Sequence, residues 1–448
     1  MRQEIAMNRK TNENTPVPFD VVSRKIKESG LGQVGQASIR EIVELVNQLE
    51  KATGIPFIRM EMGVPGLEPP QVGIEAEIGA LRNGVASKYP MIDGIEDIKH
   101  EMARFTKLFL NIDVSPGHCI PSAGSMQGSM AAFMVSCRCR KERDRTLFID
   151  PGFPVQKMQH HVLGLKYETF DIYNYRGEKL RDKLKSYLDK GNISTFVYSN
   201  PNNPSWICFT EDELKIIGGL ATEYDVVVME DLAYFAMDFR EDYGRPGIPP
   251  YQPTVARYTD NYVLLVSSSK AFSYAGQRVA MMVISDKLFN RQFNDLKQYF
   301  SGNLFGHSIV YGALYSMTAG VGHSAQYGMA SLLKAANDGN FDFRNMVKVY
   351  GERAEKMKRL FIENGFHIVY DRDVERSLAD GFYFTISYPG FTGAELLEKL
   401  LYYGIGAITL DITGSERHEG LRACVSMIKD EQLSDLEYRL KVFNEHYS

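Results

Sequence analysis

The sequence predicts an α/β protein: a larger unit on a mostly parallel sheet with helices on both faces, joined to a smaller α+β unit. Three observations carry this. From about residue 95 to 315, apolar runs of strand length alternate with helical patterns, the rhythm of a parallel sheet with crossover helices. Those strands end in polar or turn residues, as open sheets do on the edge where ligands bind. After Ser308 the pattern turns strongly helical and then resumes as short strands around one helix. A chain of 448 residues is long for a single core, so two domains are expected.

Taken in order, residues 1–37 have no sustained periodicity and contain Pro16 and Pro18, which suggests an arm or loop. Ser38-Ile39-Arg40-Glu41 is a capping box, after which Ile39, Ile42, Val43, Val46 and Leu49 share one helical face up to Gly54. Residues 58–66 read as a short strand entering a Gly/Pro turn, and 73–83 as a helix. A helix over 95–108 leads to the Gly/Ser turn Pro121-Ser122-Ala123-Gly124-Ser125-Met126, which opens an apolar helix to Val135. Strands are predicted at 146–149, 195–198, 226–229, 262–266 and 279–284, with a helix over 211–223 capped by Thr210. A long helix within 327–364 should bridge to strands near 366–370, 382–387 and 421–425 and a helix over 392–403. The expected division is an arm (1–37), the N-terminal part of the small domain (38–88), the large domain (89–320) and the C-terminal small domain (321–448).

Composition narrows the function. Hydrophobic residues at 44% and charged residues at 24% are ordinary for a globular protein, and a net charge of −5 gives no support for nucleic acid as a partner. The N-terminus has no signal-peptide core, and no run approaches the roughly 18 apolar residues of a membrane helix, so a cytoplasmic protein without a membrane partner is expected. The five cysteines are scattered and read as reduced; neither Cys137 and Cys139 nor His160-His161 has the partners for a metal site, and no metal is expected.

The chemistry concentrates on Ser267-Ser268-Ser269-Lys270, directly after the strand 262–266 and eight residues before Arg278. Hydroxyls and a guanidinium suit a phosphate, and a lysine amine can hold an aldehyde as an imine. The amides of Gly124, Ser125 and Met126 at a helix start add to an anion site. Asp231, at another strand end, can keep a pyridine nitrogen protonated; Asn203 and Tyr234 can donate to a ring phenolate, and Phe153 can stack on the ring. Each part of pyridoxal 5'-phosphate thereby has a partner.

The motifs Asn200-Pro201-Asn202-Asn203-Pro204, Asp231-x-x-Tyr234 and Ser267-x-Ser269-Lys270 with Arg278 resemble those of the fold-type I pyridoxal-phosphate enzymes, class I/II aminotransferases among them, from about Ser38 onward. The resemblance implies a seven-stranded, mostly parallel sheet in the large domain. It implies an aminotransferase moving an amino group between an L-amino acid and a 2-oxo acid by a ping-pong reaction, with Lys270 forming the internal aldimine and shuttling the proton. Asp231 would then pair with the ring nitrogen, Asn203 and Tyr234 with the phenolic oxygen, and Phe153 with the ring face, while Ser267, Ser269 and Arg278 hold the phosphate. Tyr89 would reach the phosphate in a neighbouring subunit, implying a homodimer with shared sites; Arg422 would grip the substrate α-carboxylate, and Gly63 belongs to a segment over the substrate. Ser205-Trp206 departs from the family's usual Thr-Gly. No arginine lies in 300–307, which weakens one route to a dicarboxylate substrate, whereas Phe300, Phe305 and Tyr311 would suit an apolar or aromatic one. The alternatives are a C–S β-lyase using the same apparatus and, further off, a non-catalytic cofactor-binding regulator.

Overall fold

The computed structural model describes residues 14–448. Its centre is a seven-stranded sheet whose strands lie side by side in the order Cys119–Ser122, Ala280–Ile284, Tyr262–Ser267, Val227–Asp231, Ile193–Ser199, Arg145–Asp150 and Lys166–Asp171. Ala280–Ile284 runs antiparallel to both neighbours, and the remaining pairings are parallel. The sheet is covered on both faces, which is why its strands read as unbroken apolar runs. Alternation sorts them: Phe148, Val197, Met229, Val263 and Met282 enter one core, while Leu147, Phe196, Val228, Leu264 and Met281 enter the other. The edge strands Cys119–Ser122 and Lys166–Asp171 escaped sequence reasoning: the first is only four residues long and contains Pro121, and the second is polar and largely uncovered along its first four residues.

Helices flank this sheet. Gly124–Ser136 is apolar on every side and is buried between the sheet and the segment Ser308–Leu314. The smaller unit holds an antiparallel sheet in the order Ile408–Thr409, Leu421–Cys424, Tyr383–Ser387, His367–Ile368. The early strand Ile58–Arg59 joins this unit by pairing parallel with Ile405–Gly406, so the first segment of the chain and the last are stitched together.

Two local expectations change. Part of the arm is a packed element: Phe19–Glu28 is a helix, Val17 and Val22 are buried, and Phe19 stacks on Tyr402 at 4.7 Å. A single apolar stripe on a polar helix is a faint signal, and the prolines before it obscured it; residues 1–13 lie outside the described residues. The long helix expected within 327–364 is three, His323–Asn337, Phe343–Val347 and Val349–Glu363, the first break falling where Gly339 takes φ 72°. The first two face the large sheet unit. Asn337 donates to the Glu101 carbonyl at 2.9 Å, and Phe343 packs among Phe105, Phe109, Phe235 and Phe272.

Candidate active site

The carboxyl ends of the parallel strands place Asp150, Ser199, Asp231 and Ser267 along one edge, Ser199 standing directly beside Asp231 in register. Above this edge lies a cavity of about 380 Å³, within the range of small-ligand sites. Its lining includes Gly63, Ser125, Met126, Phe153, Asn203, Asp231, Tyr234, Ser267, Ser269, Lys270, Arg278 and Arg422. Of the residues singled out from sequence, two are absent from that lining. Gly124 sits immediately behind it against Arg278, and Tyr89 lies on the surface, 93% exposed.

The lysine loop folds on itself before it presents Lys270. Ser268 donates to the Val279 carbonyl at 2.6 Å and accepts from the Tyr274 amide through its own carbonyl at 3.0 Å. Ser273 donates to the Leu67 carbonyl at 2.6 Å, and Tyr274 donates to Glu77 at 2.8 Å, tying the loop to the N-terminal segment. Lys270 Nζ lies 5.9 Å from the centre of the Phe382 ring. Burial, reinforced by the positive charges of Arg278 and Arg422 and opposed by Asp231, brings its amine down to about 8. Burial likewise raises the Asp231 carboxyl to about 6, against hydrogen bonds from the Ala233 amide at 3.1 Å and Gln156 Nε2 at 3.3 Å.

At the anionic end, Gly124 opens the helix Gly124–Ser136 with φ 72°, and a Cβ there would fall 2.4 Å from the Arg278 guanidinium. A glycine is needed for this close approach. The Ser125 hydroxyl is buried without a partner, and Ser267 Oγ accepts from the Ser269 amide at 3.1 Å.

The opposite wall comes from elsewhere in the chain. Arg422 is 2% exposed; Nη2 donates to the Glu61 carbonyl at 2.7 Å, Nη1 lies 3.5 Å from Asn203 Oδ1, and Nε is buried without a partner. Its guanidinium lies over the Tyr383 ring at 4.7 Å. Tyr383 belongs to the strand beside Arg422, two residues from the Thr385 that directly opposes it, so both side chains share one face. Tyr234 donates to the Tyr383 hydroxyl at 2.9 Å, and burial holds the Tyr383 phenol up at about 12. A Cβ on Gly63 would come 2.4 Å from that same hydroxyl, so only glycine fits.

Tyr383, Gln156 and Arg40 also line the cavity and were not singled out as site residues. Tyr383 sits in an aromatic strand that reads as core, and only the pairing with 421–424 reveals its role. Trp206 is fully buried beside Tyr234 at 5.3 Å and Tyr383 at 6.1 Å and stays out of the cavity lining. It takes φ 65°, the left-handed conformation that glycine adopts freely, at the position where the aminotransferase pattern usually has glycine. Phe300, Phe305 and Tyr311 do not line this chain's cavity: Phe305 is wholly buried beside Phe293, and Tyr311 is 47% exposed.

The donor set suits pyridoxal phosphate. An unpartnered serine hydroxyl and an arginine meet at a helix start for the phosphate, a buried carboxyl waits for a ring nitrogen, and a lysine of depressed basicity stands for the aldehyde. The fold and site thus define a pyridoxal-phosphate-dependent enzyme of the α/β transferase type.

Comparison with known proteins carries this to the family. The aminotransferase class I and II family matches residues 55–436, and the chain belongs to it. It is 23% identical over 406 residues to the LL-diaminopimelate aminotransferase of Natranaerobius thermophilus, covering 89% of this chain and 94% of that protein. Among solved structures, aspartate aminotransferase from Thermotoga maritima superposes with a TM-score of 0.73 at 18% identity, covering 94% of this chain and 99% of that one. Alanine aminotransferase from Pyrococcus furiosus gives a TM-score of 0.74 at 18% identity, covering 92% and 98%. The protein is a pyridoxal-phosphate-dependent aminotransferase acting on an amino acid and a 2-oxo acid. Among the described residues, no helix is long and apolar enough to cross a membrane.

Proposed function

We propose that Lys270 is the residue that holds the cofactor aldehyde between turnovers and, once displaced by the incoming amine, carries the proton at the substrate α-carbon. The observation that carries this is its amine: brought to about 8 by burial, it faces a cavity that also presents Asp231 and Arg422. An amine poised near neutral pH gives up and regains a proton readily. Bound pyridoxal phosphate supplies the electron sink that makes the α-hydrogen acidic. Asp231 holds a positive charge on the ring nitrogen, with Gln156 and the Ala233 amide fixing its two oxygens. Asn203 and Tyr234 orient the ring through its phenolic oxygen, Tyr234 turning to it the proton that it otherwise gives to Tyr383. Phe153 covers a ring face, while Gly124, Ser125, Met126, Ser267, Ser269 and Arg278 retain the phosphate when Lys270 is displaced. Arg422, with Nε still open, takes the substrate α-carboxylate as a planar fork.

The assembly in this reading is a homodimer with shared sites. Tyr89 supports it: a tyrosine 93% exposed, with Met91 67% exposed beside it, suits contact with a second copy. The five cysteines are all free and buried, which supports a reducing, cytoplasmic setting.

The function is tested by mixing the cofactor-loaded protein with single amino acids and following loss of its visible absorbance together with release of the 2-oxo acid. Absence of any response to all common L-amino acids would refute the reading. Shared sites are tested by assembling mixed dimers of Tyr89→Ala and Lys270→Ala chains. One cavity of each mixed dimer would keep both residues, so activity should exceed the sum of the two variants; simple additivity would exclude the sharing.

A further inference from the structure

We infer that Arg40 selects substrates whose side chain ends in a second carboxylate, making dicarboxylic amino acids and 2-oxo diacids the preferred class. The inference rests on the aminotransferase reading and on Arg422 taking the α-carboxylate. The charges that line the cavity can be assigned one by one. Asp150 is paired with Lys157; Asp231, Lys270 and Arg278 belong to the cofactor end; Arg422 is at the α-carboxylate position. Arg40 alone is left over.

Its setting argues against a structural role. Arg40 occupies the first turn of the helix Ile39–Thr53, where the helix dipole disfavours a cation, so the helix gains nothing from it. The neighbour to pair with it is Glu44, one turn on, yet Glu44 accepts from Gln48 at 2.9 Å. Glu41 is occupied by the capping box, receiving the Ser38 amide at 2.7 Å. Among the described residues no hydrogen bond or ion pair engages the Arg40 guanidinium, although the residue is exposed and lines the cavity. The capping box fixes the helix start, and with it the place of Arg40 at the cavity wall.

The lining they share includes an apolar group, Ile39, Val43, Met62 and Val64, two of which flank Arg40 on its own helix. Two cations and an apolar lining in one cavity match a molecule with two carboxylates joined by methylene groups. This route to a dicarboxylate lies within the chain's own N-terminal helix and needs no arginine in 300–307.

The test uses the cofactor-loaded protein and its Arg40→Gln and Arg40→Lys variants. The readouts are the ratio of kcat/KM for aspartate, glutamate or 2-aminoadipate to that for alanine, and calorimetric binding of the unreactive diacids succinate, glutarate and adipate. Arg40→Gln should lower the ratio for the best diacid by about tenfold or more and weaken binding of the matching unreactive diacid to a similar degree, with Arg40→Lys recovering part of both. A ratio and an affinity unchanged within twofold, or a wild-type protein that does not prefer any diacid over alanine, would overturn the inference while leaving the aminotransferase reading intact. If no amino acid removed the cofactor's visible absorbance, that reading would fall, and this inference with it.

Discussion

The two walls of the cavity are built on different principles. The cofactor wall is made largely of strand ends from one sheet: Ser199 and Asp231 stand opposite each other in register, and Ser267 ends the next strand. Their spacing is fixed by the sheet itself, at about 4.8 Å from strand to strand. The substrate wall is assembled from three distant segments: Arg40 and Gly63 from the N-terminal part, Tyr383, and Arg422. Backbone bonds stitch those segments together, Cys424 to the Met60 carbonyl at 2.9 Å and Met60 to the Gly406 carbonyl at 3.0 Å. In the proposed reading the contrast separates the chemistry, carried by strand ends of one sheet, from substrate choice, which falls on segments that only tertiary contacts bring together.

Substitutions on each wall should therefore fail differently. Lys270→Ala, on the cofactor wall, would in the proposed mechanism remove both the aldehyde-holding amine and the proton carrier and should lower kcat by about four orders of magnitude in steady-state assays. Trp206 underlies the contact between the walls through Tyr234 and Tyr383, so Trp206→Ala should cost about 3–5 kcal/mol of stability in denaturant titrations. Arg422→Lys, on the substrate wall, loses the planar fork and should raise KM for every amino donor by about thirtyfold or more, at nearly unchanged cofactor affinity. A change in cofactor affinity as large as the change in KM would show that the walls are not independent.

The smallest effect concerns pH. Because the folded-state pKa of Lys270 lies near 8, below that of a free lysine, capture of cofactor by the apoprotein should accelerate up to about pH 8 and then level off. The sign for stability is the same: the unfolded chain binds the proton more tightly, so folding is favoured as pH rises from about 8 toward 10.5. Stopped-flow reconstitution across this range checks the first statement; a rate still climbing through pH 10 would mean an ordinary lysine.

The same division explains what was legible in the sequence. Lys270, Asp231 and Asn203 follow strands whose apolar runs are unmistakable, and once the sheet is parallel their convergence is required. Gln156 was hidden because a helix residue reveals its partner only after the helix is docked on the sheet. Tyr383 needed the register of an antiparallel pair, which alternation alone does not give. Arg40 was visible as part of a capping box, yet nothing local says that this helix end borders a cavity. The helix Phe19–Glu28 was hidden for the opposite reason: its stability comes from tertiary contacts such as Phe19 on Tyr402.

The most direct test of the central claim is chemical. Borohydride reduction of the cofactor-loaded protein, followed by peptide mass analysis, should place one pyridoxyl phosphate group on Lys270 of each chain, and preincubation with an excess of amino donor and no acceptor should abolish the label while releasing about one equivalent of 2-oxo acid per site. A label on another lysine, or continuous release of ammonia with the oxo acid instead of a single equivalent, would contradict it.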